Sequence, residues 1–295
     1  MAITATQVKE LREKTSAGML DCKNALNATD GDMEKAIDWL REKGIAKSVK
    51  KASRIAAEGL SKVLVEGNKG CLVEVNSETD FVAKNEQFLK LVDTACKTIL
   101  ASNATTNEEA LALPVDGKTL NDLFIDATAT IGEKIGLRRV AVVEKSDSEI
   151  FGSYIHMGGK ISCLVVLEGG DEALAKDMAM QIASMSPTYV SSADMPQDVV
   201  EHERAVQTEI VKNDPTFAGK PERVIEGAIN GKVSKSLKEM CLVDQEFFKD
   251  PGQKVAAVLK SANASVKSFV KYLVGEGLEK REENFAEEVA KQMGM

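Results

Sequence analysis

Up to Ile45, apolar positions recur at helical spacing in three short runs. Thr4 followed by Gln7 has the spacing of a capping box, and Val8, Leu11 and Thr15 then share a face. After Gly18, Met19, Cys22, Ala25 and Leu26 form a second stripe that ends at Thr29-Asp30-Gly31. Asp32 is placed to cap a third helix bearing Met33, Ala36, Ile37 and Leu40, and Gly44 is placed to stop it. The pattern predicts a small three-helix module followed by a basic run, Lys47, Lys50, Lys51 and Arg54, that reads as a solvated helix end or linker.

The period then changes from helical to extended. Leu60 to Glu66 and Cys71 to Asn76 flank Gly67-Asn68-Lys69-Gly70 and predict a β-hairpin. Phe88, Val92, Ala95 and Ile99 predict the buried stripe of a long helix, and Leu120, Leu123, Phe124, Ala127 and Ile131 that of another. Residues 102–118 between them read as a mobile surface connection, and Leu137 to Glu144 returns to a strand. A shorter version of the arrangement follows: Ile150 to His156, a turn at Gly158-Gly159, Lys160 to Leu167, and a helix through Leu174, Met178 and Ile182. Cys-Leu-Val occurs in the second strand of each copy, at 71–73 and 163–165, so the sequence reads as an internal duplication.

Pro196 opens a helix with Val199, Val206 and Ile210, which Asp214-Pro215 ends. From Pro221 a second helix carries Val224, Ile225, Ala228, Val233, Leu237 and Met240, and the two predict an antiparallel helical hairpin. A helix through Val255, Val258 and Leu259, a strand from Val266 to Leu273, the turn Gly275-Glu276-Gly277 and a terminal helix through Phe285 and Val289 complete the chain. The expected class is α+β. Its expected parts are residues 1–54, a core subdomain 55–145, a second core subdomain 146–190 with 241–275, the hairpin 191–240, and a C-terminal module 276–295.

A chain of 295 residues with 43% hydrophobic content can bury a large core. Five scattered cysteines without a Cys-x-x-Cys pair read as reduced core thiols. No basic-then-apolar leader and no membrane-length apolar run is seen, so a cytoplasmic protein without membrane attachment is expected. The formal charge of −8 opposes general nucleic-acid binding.

Chemistry-bearing constellations are scarce. The two histidines, His156 and His202, fall in unrelated contexts, which leaves neither a histidine-based triad nor a histidine-supplied zinc site, and no metal or cofactor is expected. Gly158-Gly159-Lys160 fails as a phosphate loop because Tyr154 stands at the first glycine position and Ile161 follows the lysine. Gly275-Glu276-Gly277 lacks the third glycine of a dinucleotide fingerprint. The most unusual segment is Glu74 to Val82, where a strand ends in a polar turn and Phe81 follows at once, with Thr79 or Asp80 able to cap the next helix. Phe81 lies seven residues before Phe88, so the pattern leaves open whether it extends the buried stripe or inserts into a partner.

Thr79-Asp80-Phe81-Val82-Ala83-Lys84 resembles the signature of the translation elongation factor Ts family, and the likeness extends over nearly the whole chain. Leu11-Arg12, Ala17-Gly18-Met19, Asp21-Cys22-Lys23 and Ala25-Leu26 are similar to that family's first motif. Ile131-Gly132-Glu133, Arg138-Arg139, Ser153-Tyr154 with His156, and Phe269 with Gly275-Glu276-Gly277 and Glu279-Lys280 are further matches. The resemblance implies a ubiquitin-associated-like N-terminal domain, a duplicated α+β core, a coiled-coil-like helical hairpin and a C-terminal helical module. It implies a guanine nucleotide exchange factor that binds elongation factor Tu carrying GDP and does not itself bind nucleotide.

By the same resemblance, Thr79, Asp80, Phe81 and Val82 dislodge the magnesium ion of the GTPase, with Asp80 and Phe81 wedged between its helices. Lys9, Arg12, Met19 and Leu20 dock its outer helix, and Ile131, Gly132 and His156 are further contacts. Leu20 stands where the family often has methionine, which preserves apolar volume. The resemblance leaves a homodimer or a two-to-two complex open. Two other classes compete with it: an adaptor for the ribosome or a ubiquitin-like domain built on residues 1–45, and an acid-base enzyme, for which the carboxylates offer no constellation.

Overall fold

The computed structural model describes residues 3–15 and 17–279, so the expected terminal helix through Phe285 and Val289 lies outside the described residues. The fold is α+β. The chain resolves into two compact units, Met1–Val143 with Ile155–Ile161 and Tyr272–Met295, and Glu144–Tyr154 with Ser162–Lys271.

The first unit opens with α1 (Ala5–Thr15), α2 (Met19–Ala28) and α3 (Met33–Lys51). Thr4 and Gln7 cap α1 reciprocally at 3.0 and 3.2 Å, and Asp32 caps α3 through the Lys35 amide. Val8, Leu11, Cys22, Ala25, Leu26 and Ala36 form the small core. Met19, which the period placed on the buried stripe, is instead 64% exposed. It is the first residue of α2, where the turn that would cover it has not yet formed.

Gly44 does not stop α3. The helix continues to Lys51, so most of the basic run is its last turns, and Gly44 is buried where α3 packs against α6 (Leu120–Ile131). A side chain there would meet Ala129 and Ile125. The glycine therefore serves close helix approach, which a sequence cannot distinguish from a C-terminal stop.

β1 (Glu58–Glu66) and β2 (Lys69–Ser77) pair antiparallel, with Leu60 opposite Val75. Their turn is only Gly67-Asn68, and Lys69 and Gly70 already belong to the ladder. β5 (Gly136–Glu144) completes a sheet of order β1-β2-β5. α4 (Glu86–Leu100) packs on this sheet and fully buries Phe88, Ala95 and Ile99 on the predicted stripe. Residues 102–118 are more than a connection. Thr106 and Glu109 cap α5 (Asn107–Leu111) reciprocally, Ala104 and Ala110 enter the core, and β3 (Pro114–Val115) pairs with β4 (Lys118–Thr119). Alanine-rich, short elements of this kind leave almost no periodic signal.

A second sheet has the order β10-β7-β6, from β6 (Glu149–His156), β7 (Ile161–Glu168) and β10 (Ser265–Leu273). β7 buries Cys163 to Leu167, and α7 (Glu172–Met185) buries Ala175, Met178, Ala179 and Ile182. In the second unit, α8 (Gln197–Asn213) and α9 (Glu222–Glu239) pack together around Val211, Ile229 and Val233. The face expected of α8 needs correction: Val206 and Ile210 are exposed, and the helix packs instead through Val211, which is fully buried against α9 with Ile229 and Val233. β8 (Glu246–Phe247), β9 (Asp250–Lys254) and α10 (Val255–Ser261) precede β10.

All five cysteines are buried and free. Among the described residues no helix is long and apolar enough to cross a membrane, and no group of three His, Cys, Asp or Glu is placed to hold a metal ion.

Candidate partner-binding site

β2 brings the chain to Ser77, whose hydroxyl donates to the Thr79 carbonyl at 3.0 Å and begins a tight turn. Thr79 is then fixed from outside the turn: its amide and hydroxyl donate to the two oxygens of Glu133 at 2.9 and 2.7 Å. Past Phe81 the backbone makes a single short helical turn, Val82–Lys84, with Val82 and Ala83 in the core that also holds Val73, Val75 and Phe88. Asn85, and not Thr79 or Asp80, caps α4 by accepting from the Gln87 and Phe88 amides. The segment 79–82 thus lies outside α4 and out of its register.

That register break keeps Phe81 off the buried stripe of α4. Phe81 is 79% exposed, whereas Phe88 is fully buried. The ring stands beside two charges. Lys84 Nζ lies 5.9 Å from its centroid and also donates to Asp80 Oδ2 at 2.9 Å. This hydrogen bond, reinforced by the lysine's charge, holds the Asp80 carboxyl below the usual carboxylate range. Asp80 is therefore ionised at neutral pH, and an aromatic face, an anion and a cation share one small exposed tip.

Lys9, Arg12 and Met19 come together around a groove of about 390 Å³ that Val8 also lines. Leu20 follows Met19 on α2 and is 71% exposed. Ile131 is half-buried against the core of the first unit, and Gly132 ends α6 in a left-handed conformation. His156 closes β6 and is half-buried, while its neighbours Ile155 and Met157 are exposed.

Sequence reasoning missed Glu133 as the group that holds Thr79. A carboxylate next to a helix-ending glycine has no distinctive spacing, and its role emerges only when the loop after α6 is set against the loop after β2.

An exposed aromatic at the tip of a braced turn, and a groove that gathers apolar and basic side chains, are surface features suited to contact with another protein. The family model for elongation factor TS matches residues 78–276. The chain is also similar to elongation factor Ts of Acholeplasma laidlawii (strain PG-8A), at 53% identity over 294 residues and 99% of each chain. The chain belongs to the elongation factor Ts family.

Proposed function

We propose that this chain binds elongation factor Tu carrying GDP, disturbs its magnesium and phosphate site, and promotes release of GDP so that GTP can take its place during translation elongation. Family membership supports the partner, and the exposure of Phe81 at 79% on a turn anchored at both ends carries the mechanism. The magnesium-displacing group is Thr79, Asp80, Phe81 and Val82, with Phe81 inserting and Val82 seating the turn in its own core. Lys9, Arg12, Met19 and Leu20 supply a docking patch, and Ile131, Gly132 and His156 further contacts.

Magnitudes set the form of the mechanism. A GTPase that holds GDP at nanomolar strength has roughly 12 kcal/mol of binding free energy. Burying one phenylalanine returns about 1.5–3 kcal/mol. Phe81 alone cannot expel the nucleotide, so the complex needs several patches, a buried area above about 2,000 Å², and preference for the nucleotide-free partner. Linkage makes the effect reciprocal: GDP weakens the grip of this chain on the GTPase by the factor by which the chain weakens GDP.

Release of a fluorescent GDP from purified elongation factor Tu tests the reading. Wild-type protein accelerates release, and Phe81→Ala does so at least about tenfold less well. Equal acceleration by the two proteins would overturn the reading.

A further inference from the structure

Two carboxylates cross between the Phe81 turn and the loop that follows α6. Glu133 takes both donors of Thr79. In the opposite sense Glu78, one residue before Thr79, accepts the amide of Lys134, one residue after Glu133, at 2.6 Å. Neighbouring residues on the two loops exchange acceptor for donor, which fixes both their separation and their register where no sheet ladder does so. The Lys134 ammonium continues to the carbonyls of Ala52 and Arg54 at 2.7 and 3.0 Å, and the Arg54 guanidinium returns to Glu78 at 3.2 Å. The chain leaving α3 therefore closes the ring.

The stretch from Thr79 to Val82 is held at one end by this exchange and at the other by the burial of Val82. With both ends held and only Asp80 and Phe81 between, the ring is presented outward without help from a partner. A free loop carrying the same ring would have to be ordered at the moment of contact, and that cost would fall on binding. Hydrogen bonds to an ionised acceptor are stronger than neutral ones, so a carboxylate suits the bracing position.

We infer that Glu133 is a positioning residue for nucleotide exchange, acting through Thr79 to hold Phe81 outward; this rests on the exchange reading above. The role is internal to the chain and distinct from partner contact by Ile131 and Gly132.

Two measurements test it on the full chain. In the absence of any partner, hydrogen exchange read by mass spectrometry reports the brace directly. Glu133→Ala speeds exchange of the amides of residues 78–84 by about tenfold while those of α4 keep their protection. Unchanged protection of 78–84 overturns the inference. In the fluorescent-GDP assay, Glu133→Ala slows the maximal release rate by about tenfold, and Glu133→Gln, which keeps one carbonyl acceptor, by about threefold. Placed on Phe81→Ala, Glu133→Ala slows release by less than about twofold more, because both changes remove the same action. Losses that multiply would show Glu133 acting independently of Phe81 and overturn the inference. A wild-type release rate in Phe81→Ala would remove the exchange reading itself, and with it the role of Glu133 in exchange, while the hydrogen-exchange result would still report the brace.

Discussion

The fully buried carboxylate of Glu74 accepts the amide of Gly275 at 2.9 Å across 201 residues of sequence. The same carboxylate takes Arg138 at 2.9 Å and Arg139 at 2.5 Å, and Arg139 also lies 4.2 Å from the Tyr272 ring centroid. Both arginine side chains are about three-quarters covered, at 24% and 28% exposure, so this network is largely shielded from water. Gly275 is required at its position: its φ is +75°, and a Cβ would fall 2.1 Å from the Ala57 carbonyl oxygen.

Removing Glu74 takes the shared acceptor from two guanidiniums and the Gly275 amide at once, although Arg138 keeps the Glu276 carbonyl and Arg139 keeps the Leu273 carbonyl and the Glu276 carboxylate. Glu74→Ala is expected to lower unfolding stability by about 1–3 kcal/mol, the cost of leaving buried donors without an acceptor, because the remaining partners keep the guanidinium charges compensated. Glu74→Gln keeps an acceptor oxygen and should lose less. Urea unfolding followed by circular dichroism checks both, and a loss below about 1 kcal/mol for the alanine variant would show that the network contributes little.

Phe81 and Phe88 separate function from stability. Phe88 is fully buried beneath the sheet, so Phe88→Ala is expected to cost about 3–5 kcal/mol. Phe81 keeps most of its surface in water, so Phe81→Ala should alter stability by no more than about 0.5 kcal/mol. Thermal unfolding of the pair makes the comparison, and a large loss for Phe81→Ala would mean that its ring supports the fold.

How much of this was legible in the sequence depends on whether the signal was a period or a meeting of distant segments. The stripe Phe88, Val92, Ala95 and Ile99 could be read directly because a helix on a sheet buries every such position. The Cys-Leu-Val runs at 71–73 and 163–165 were legible because central strands bury consecutive residues. Phe81 was not, since a seven-residue spacing to Phe88 is the same whether the intervening chain is helical or breaks at Asn85. Glu133 and Glu74 were invisible as anchors for a related reason: their partners lie 54 to 201 residues away in sequence.

Gly44 offers a test of close helix packing. A Cβ there would lie 3.4 Å from Ala129 Cβ and 4.0 Å from Ile125 Cγ2, which is contact without overlap. Gly44→Ala should therefore stabilise by about 0.5–1 kcal/mol through helix propensity. Gly44→Leu overfills the same space, forces α3 from α6, and should destabilise by about 1–3 kcal/mol. Opposite shifts in melting temperature are the expected result, and a loss in both variants would mean that the helices tolerate no added atom.

Acid should weaken the start of α6 in a traceable way. Asp122 accepts the Thr119 amide at 3.0 Å and the Thr119 hydroxyl at 2.9 Å, and takes Arg41 at 3.0 Å. The Thr119 amide, followed by its hydroxyl and Arg41, holds the Asp122 carboxyl below the usual aspartate range despite partial burial. The unfolded chain thus takes up a proton at higher pH than the folded one. The stabilisation is whole above the ordinary aspartate value and is lost as pH falls through the lower folded value. Asp122→Asn, which removes the charge but not the shape, should cost about 0.5–1 kcal/mol at neutral pH. The gap between the two proteins should then close as the pH falls through the lowered folded value of Asp122. Urea midpoints measured in parallel from neutral to acid pH decide the matter, and a gap that stays constant over that range would mean that the Asp122 charge contributes nothing to the cap.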